Sequence, residues 1–438
     1  MNIAIAKQRF KSYQKVIFNS FWIIFDKVIR MAGGLFIGIW FARYLGPFEF
    51  GVWNYAFSII SMTIPFINLG LNNVLLTDLI RKEEKGKILF NALLIKLFTG
   101  TVATLSIIVF AQLLGKEPLT RVLLIILSFQ CILFVSDVFD IFYQSRTESR
   151  LTVIVKSSAY LLFSIFKVFA LLGNYGVVFF AYITVLELLV VFVLLLVFYF
   201  NVSKQKLHHW RPDWVLIKDL VRRALPFMAA EILITIYTRI DQVMLKNMVG
   251  NVELGKYSAA VRMSEIWYFI GSAISVSFYP TLIQLKEKGP QAYLEGFRKL
   301  FGVLSAIAIL LSVLITFTAN PIVHFLYGSE FEGAGLVLSI HIWTGVFVYL
   351  GVAASNWFMI EQKQSLLLVR TAAGAVMNVL LNLLLIPYFG GAGAAIATLI
   401  AQIFASFLMN AFSAQTLPIF KLQLGSLLVY KLVAKYRS

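Results

Sequence analysis

The sequence holds one cysteine, Cys131, and four histidines, too few for a disulfide framework or a multi-cysteine metal centre. Charge is also scarce: Asp, Glu, Lys and Arg make up 13% of the 438 residues, against about 25% in an ordinary soluble domain. No Walker-type phosphate loop is present, and no stretch between apolar runs is long enough to house a soluble catalytic domain, so ATP hydrolysis is excluded and no enzyme is expected. What the chain has in excess is apolar surface, with 60% hydrophobic residues, 40 Phe and a mean hydropathy of +0.85. Its apolar runs have the ~20-residue length that crosses a hydrocarbon core about 30 Å thick, which identifies an all-α integral membrane protein. The first of them, FNSFWIIFDKVIRMAGGLFIGIWF, is long enough to span and lacks the cleavage site of a secretory signal.

Twelve spans are predicted, at about 16–42, 50–77, 88–114, 119–144, 151–173, 176–200, 223–247, 256–283, 300–320, 333–360, 363–387 and 391–414. The fifth is the least clear, because it carries Lys156 and Lys167. The net charge of +17 is explained by topology rather than by nucleic acid, since basic residues sit in short segments between spans and gather on no soluble domain. With the N-terminus inside, the cytoplasmic segments collect runs such as Arg81, Lys82, Lys85 and Lys87, or Lys286, Lys288, Arg298 and Lys299. The outer segments hold Arg43, Lys116, Arg121, Lys246 and Lys256, so the positive-inside rule puts both termini in the cytoplasm. The expected organisation is a six-helix lobe over 1–200, a cytoplasmic linker over 201–222, a second six-helix lobe over 223–414 and a cytoplasmic tail over 415–438. His208 and His209 in the linker read as solvated rather than metal-binding, and LGSLLVYKLVAKYRS in the tail reads as an interfacial amphipathic segment.

LGPFEFGVWNYA, from Leu45, has a counterpart in VGNVELGKYSAA, from Val249. Gly46 aligns with Gly250, Glu49 with Glu253, Gly51 with Gly255, Trp53 with Tyr257 and Ala56 with Ala260. Both copies fall in the outer loop after the first span of a half and the start of the next helix. Six spans is an even number, so both halves enter the membrane in the same sense, as in transporters with parallel repeats. Glycines at these turns permit a tight reversal or a close backbone approach.

Charged side chains inside spans are expensive and normally face a bundle interior or a wet cavity. Asp26 and Arg30 lie four apart on one face of the first span, with Lys27 beside them; a cavity role and a structural ion pair both fit. The seventh span carries Glu231, Arg239 and Asp241. The eighth carries Arg262 and Glu265, three apart and able to pair. Lys96, Lys167, Glu187 and Arg370 complete the set, whose basic excess suits an anionic substrate bearing phosphate or pyrophosphate. Asn378 and Asn382, four apart, either bond across helices or line the path, and Pro65 is a candidate kink.

ARYLGPFEFGVW, TRIDQVMLKNMVGNVELGKYSAAVRMSE, FYPTL, NPIVHFLYGSEFEGAG and NVLLNLLLIPYFGGAGAAIAT occur in this order and at these topological places. The chain thereby resembles the multidrug, oligosaccharidyl-lipid and polysaccharide exporter superfamily, and within it the polysaccharide biosynthesis flippases. The resemblance implies a V-shaped, alternating-access bundle of two six-helix lobes with a cationic cavity. It further implies translocation of undecaprenyl-pyrophosphate-linked repeat units from the cytoplasmic to the periplasmic leaflet of a bacterial inner membrane, for O-antigen (lipopolysaccharide), capsule or exopolysaccharide assembly. Carried over, it points to Arg30 and to Arg239, Asp241 and Arg262. Peptidoglycan-precursor flippases of the superfamily often have two more spans, which favours the polysaccharide branch. A proton- or sodium-coupled drug or small-molecule antiporter is the alternative. No cofactor, metal or nucleic acid is expected; membrane lipids are partners, while ion coupling and a glycan polymerase complex stay open.

Overall fold

The computed structural model describes residues 3–114, 117–203 and 211–427, all helical or in connecting turns, with no strand among them. His208, His209 and most of the segment from Leu424 onward lie outside the described residues. Two compact units emerge. The first contains the described residues of Met1–Tyr44 and Ala56–Ile232, and the second Leu45–Tyr55 together with the described residues of Leu233–Ser438.

The first unit is built from most of α1 (Ile3–Asn68), then α2 (Leu71–Arg81), α3 (Lys85–Leu114), α4 (Pro118–Ser128), α5 (Gln130–Leu133), α6 (Asp137–Ser145), α7 (Ser149–Leu172), α8 (Val177–Ser203) and the start of α9 (Trp214–Met248). The second takes the rest of α9, then α10 (Asn251–Glu265), α11 (Tyr268–Glu287), α12 (Pro290–Tyr327), α13 (Ala334–His341), α14 (Thr344–Ile360), α15 (Gln364–Ser406) and α16 (Leu417–Leu427).

Among the described residues nine helical stretches are long and apolar enough to cross a membrane. Two of them, Phe25–Arg81 and Gln364–Ala411, contain 57 and 48 residues, well beyond the ~20 needed for one pass. Each is interrupted by a glycine with non-helical backbone, Gly46 at φ 68° and Gly390 at φ 53°, conformations that disfavour a side chain. Each therefore has length for two passes. The remaining predicted span lies in α9, whose charges hold its hydropathy down, so the helices are consistent with twelve passes. Pro65 does not break α1; the break follows at Leu69 and Gly70, both at positive φ.

Apolar side chains gain little by leaving lipid for a protein interior, so packing and hydrogen bonding must hold such a bundle together. In the first unit Leu75, Leu89, Phe139, Phe142 and Tyr199 form part of the buried core. In the second, Phe297, Phe301, Tyr349, Leu350 and Phe358 do the same, and Ile419 of α16 joins them. Gln423 of α16 binds Asn410 at 2.9 Å, so this helix is stitched into the unit by polar as well as apolar contacts.

The repeated glycines meet in the second unit. A Cβ on Gly51 would lie 1.9 Å from the carbonyl oxygen of Asn251, and a Cβ on Gly255 would lie 1.9 Å from that of Pro47. Pro47 and Asn251 are themselves equivalent positions of the repeat, so the contact is reciprocal: the glycine of each copy receives the backbone of the other. Glu253 accepts a hydrogen bond from Gly391 N–H at 2.9 Å, which ties the same corner to the Gly390 interruption in α15.

On the first unit, the stretch before α9 is fastened to α3. Asn91 donates to Arg211 O at 3.1 Å and accepts from Asp213 N–H at 2.8 Å, while Lys87 pairs with Asp213 at 2.7 Å. Asp213 also accepts the N–H groups of Val215 and Leu216, capping α9. Arg223, nearly three turns on, grips Asp78 of α2 through both Nη atoms at 2.9 and 2.6 Å.

Two outcomes follow from these contacts. Gly51→Ala and Gly255→Ala should each cost about 1–3 kcal/mol in thermal unfolding of the purified protein, whereas Gly176→Ala, with open space around its Cβ position, should stay within about 0.5 kcal/mol. Equal behaviour of all three would contradict the crossing. The Lys87 ammonium, with the backbone N–H groups of Leu216 and Val215, holds the Asp213 carboxyl below its ordinary range. Its contribution is therefore full above the unfolded carboxylate pKa, near 4, and is lost as pH falls through the lower folded value. Asp213→Ala should lower amide-exchange protection at Val215 and Leu216 by about five-fold at pH 7. That difference from wild type should disappear on acidification below the folded pKa, and a pH-independent difference would count against the titration.

Candidate functional site

The first unit holds a polar seam assembled from six helices. On α1, Arg30 Nε donates to Asp26 Oδ1 at 3.0 Å, as the four-residue spacing requires. The same oxygen accepts Ser157 Oγ–H of α7 at 2.7 Å. One turn along α7, the Tyr160 ring sits 5.2 Å from the Arg30 guanidinium carbon. Gly33 leaves room for that ring, because a Cβ there would come within 2.6 Å of Tyr160 Oη. Arg30 remains about one third exposed and Asp26 about one sixth, so the pair is supported from one side and open on the other. Lys27 is exposed.

Lys156, next to Ser157, bonds to Asp140 and lies 3.7 Å from Asp137, both of α6. The charges of Asp26 and Arg30 also act on it. Lys96 of α3 is completely buried and donates from Nζ to Asn72 Oδ1 of α2 at 2.9 Å. The charges of Asp137, Glu231 and Lys156 reach Lys96, which joins the half-buried Glu231 of α9 to the seam. A separate ion pair, Lys167–Glu187 at 2.8 Å, links α7 to α8 and accounts for two intramembrane charges as a structural strap.

The second unit holds its own network. Asp241 of α9 is 5% exposed, accepts the Tyr257 hydroxyl of α10 and receives the backbone N–H of Gln242 at 2.7 Å. Tyr257 in turn interacts with Thr398 of α15, which accepts from Asn378 at 3.4 Å. Asn378 accepts from Asn382 at 3.0 Å along the same helix. Glu265 lies in the fields of Arg239, Asp241 and Arg262, and Arg262 is exposed. Ser264 and His341 are hydrogen-bonded at 2.7 Å, and the His341 ring meets the edge of Tyr257. Arg370 of α15 is buried under Phe358.

The sequence-predicted residues thus fall into two groups: Asp26, Arg30 and Glu231 along the first seam, and Arg239, Asp241, Arg262 and Glu265 in the second network, with Arg370 apart on α15. Sequence reasoning passed over Asp137, Asp140, Ser157, Tyr160, Asn72 and His341. Asp137 and Asp140 could have been found, since two acids three apart inside an apolar run need a cation. Ser157, Tyr160 and His341 carry no such signal. Among the described residues no three His, Cys, Asp or Glu side chains cluster as metal ligands. The arrangement can neutralise an anion with guanidinium and ammonium groups already oriented by carboxylates.

The family model described as polysaccharide biosynthesis protein matches residues 16–286, and the MatE model matches residues 226–384. Capsular polysaccharide biosynthesis protein CapF of Staphylococcus aureus is 23% identical over 373 residues, covering 82% of this chain and 89% of its own. The probable flippase AglR of Haloferax volcanii is 29% identical over 181 residues, 39% of this chain and 37% of its own. Among solved structures, the lipid II flippase MurJ in an inward closed conformation superposes with a TM-score of 0.73 at 16% identity, over 96% of this chain and 93% of that one. An inward-facing multidrug resistance MATE transporter gives 0.71 at 16% identity, over 92% and 96%. These likenesses establish the fold and leave the cargo to the chemistry of the chain.

Proposed function

The chain belongs to the polysaccharide biosynthesis protein family, and on that premise we propose that it is a flippase for lipid-linked glycans. The observation that carries the reading is the Arg30 guanidinium, held by Asp26, steadied by Tyr160 and still partly open within a membrane-spanning helix. Such a cation suits the phosphate end of a polyprenyl-linked sugar, which has to lose its water to cross. The finer reading is an undecaprenyl-pyrophosphate-linked repeat unit, moved from the cytoplasmic to the periplasmic leaflet of a bacterial inner membrane for O-antigen, capsule or exopolysaccharide assembly. Both termini then lie in the cytoplasm, as the distribution of Lys and Arg between loops favours.

In this reading Arg30 receives an oxyanion of the cargo, while Lys156 and Lys96 of the same seam are answered by Asp137, Asp140 and Glu231. Asp26 is a positioning residue, fixing the guanidinium from its Nε side. In the second unit Arg239 and Arg262 are the corresponding cations, with Glu265 set between their fields. Asp241, buried against Tyr257, is the carboxylate best placed to take a coupling proton or sodium ion. The match of the MatE model favours a second reading, an ion-coupled antiporter of small molecules. A cationic drug would meet like charge at Arg30, which counts against that reading.

Arg30→Gln removes the charge but keeps a polar, though shorter, side chain that can still donate to Asp26. In proteoliposomes it should cut the rate of flipping of a polyprenyl-pyrophosphate-linked sugar by at least about ten-fold, the scale of one lost charge-assisted hydrogen bond, with little change in unfolding temperature. Undiminished flipping by this variant would remove Arg30 from the proposed role.

A further inference from the structure

Most intramembrane charges described above are answered by an opposite charge or a strong hydrogen bond, but Arg370 is not. It is 7% exposed. Its Nη2 reaches the Gly351 carbonyl at 3.4 Å, the weak end of hydrogen bonding, and Nη1 has no hydrogen-bond partner among the described residues. Nor does any carboxylate among the described residues pair with it. The Phe358 ring lies 5.0 Å from the guanidinium carbon, and the buried apolar cluster of Leu350, Ala353 and Ala354 is built on the same helix, α14. Tyr237, the ionisable neighbour that acts on Arg370, directs its hydroxyl to Gln402, whose amide in turn donates to Ser406. The nearby polar groups are therefore engaged with one another.

A guanidinium stays protonated at any physiological pH and offers a planar fork of donors. Burying it unpaired is costly unless an anion completes the site. Its place limits what that anion can be. Arg370 stands six residues into α15, about 9 Å along the axis from the helix start. The fork therefore stands near the beginning of this long helix rather than at its middle. A tetrahedral oxyanion with two oxygens in one plane matches the fork better than a spherical halide does.

We propose that Arg370 is an oxyanion seat within the second unit that takes a phosphate group. Two sources supply this chemistry: the headgroup of an anionic phospholipid, or a soluble or cargo-borne phosphate. The cargo-borne case rests on the flippase reading; the seat itself does not.

The test uses the full chain, stripped of lipid in a maltoside detergent that carries no phosphate, and follows thermal unfolding. Sodium pyrophosphate and short-chain phosphatidylglycerol are titrated separately, against sodium chloride at matched sodium. Wild type should show a saturable rise of several degrees with at least one of them. Arg370→Met, uncharged, unbranched and two atoms shorter, should lose the rise while unfolding no earlier than wild type when no anion is added. Arg370→Lys, which keeps the charge without the fork, should need at least ten-fold more ligand. A rise with phosphatidylglycerol alone assigns the seat to a lipid headgroup, and a rise with pyrophosphate assigns it to phosphate as such. No rise in wild type, or an equal rise in Arg370→Met, overturns the proposal. A wild-type protein that flips no glycan in vesicles would sink the flippase reading and leave these unfolding results standing, so the two failures are separable.

Discussion

A charge carried into hydrocarbon has to be answered inside the protein, because no water is there to do it. That constraint shapes the described residues more than hydrophobicity does, since lipid and protein interior are alike to a leucine. It explains why Asp26 serves two donors at once, why Lys156 sits against α6, why Lys167 crosses to Glu187 on the next helix, and why Asp241 is enclosed by Tyr257 and its own backbone. Each of these contacts ties one helix to another or fixes a side chain in one rotamer. The same groups that make the bundle specific therefore make it polar inside, and a polar interior in an apolar shell is what the transport of a charged headgroup needs.

The reciprocal glycine contact is the second organising feature, and it shows how a repeat in sequence becomes a repeat in space. Gly51 and Gly255 are small because each receives a carbonyl from the other copy. The glutamate of the second copy, Glu253, is occupied with the backbone at Gly391. Where helices approach this closely, a single added methyl group cannot be absorbed by rotating a side chain, because backbone stands on the other side. The corner is correspondingly rigid, and it joins Leu45–Tyr55 to the unit formed by the later helices.

How far the residues could be read in advance depended on whether their partner lay on the same helix. The Asp26–Arg30 bond was legible because a helix places positions four apart together. The repeat was legible because identical residue types recur at one topological place, although its reciprocity was not. Lys156 makes its span look doubtful when read alone; beside Asp137 and Asp140 it is a partly buried cation answered by two acids, a fact that only the docking of α7 on α6 reveals. Asn378 and Asn382 bond to each other, with Thr398 as the further partner, a choice that spacing alone left open. Pro65 is a candidate kink in the sequence; α1 continues through it, and the chain breaks four residues on at Leu69 and Gly70, where φ turns positive. Arg370 is visible in the sequence as a charge in a span, while the absence of an acidic partner for it among the described residues depends on how α15 packs on α14.

The account stands or falls on the cargo. In cells lacking this chain, mass spectrometry of polyprenyl-pyrophosphate-linked glycans, combined with a probe of which membrane face they occupy, tests it most directly. Accumulation of a defined lipid-linked repeat unit on the cytoplasmic face, reversed when the gene is restored, is the predicted result. An unchanged pool with unchanged sidedness, in a strain shown to hold no second flippase, would contradict the account and return the protein to the small-molecule antiporters.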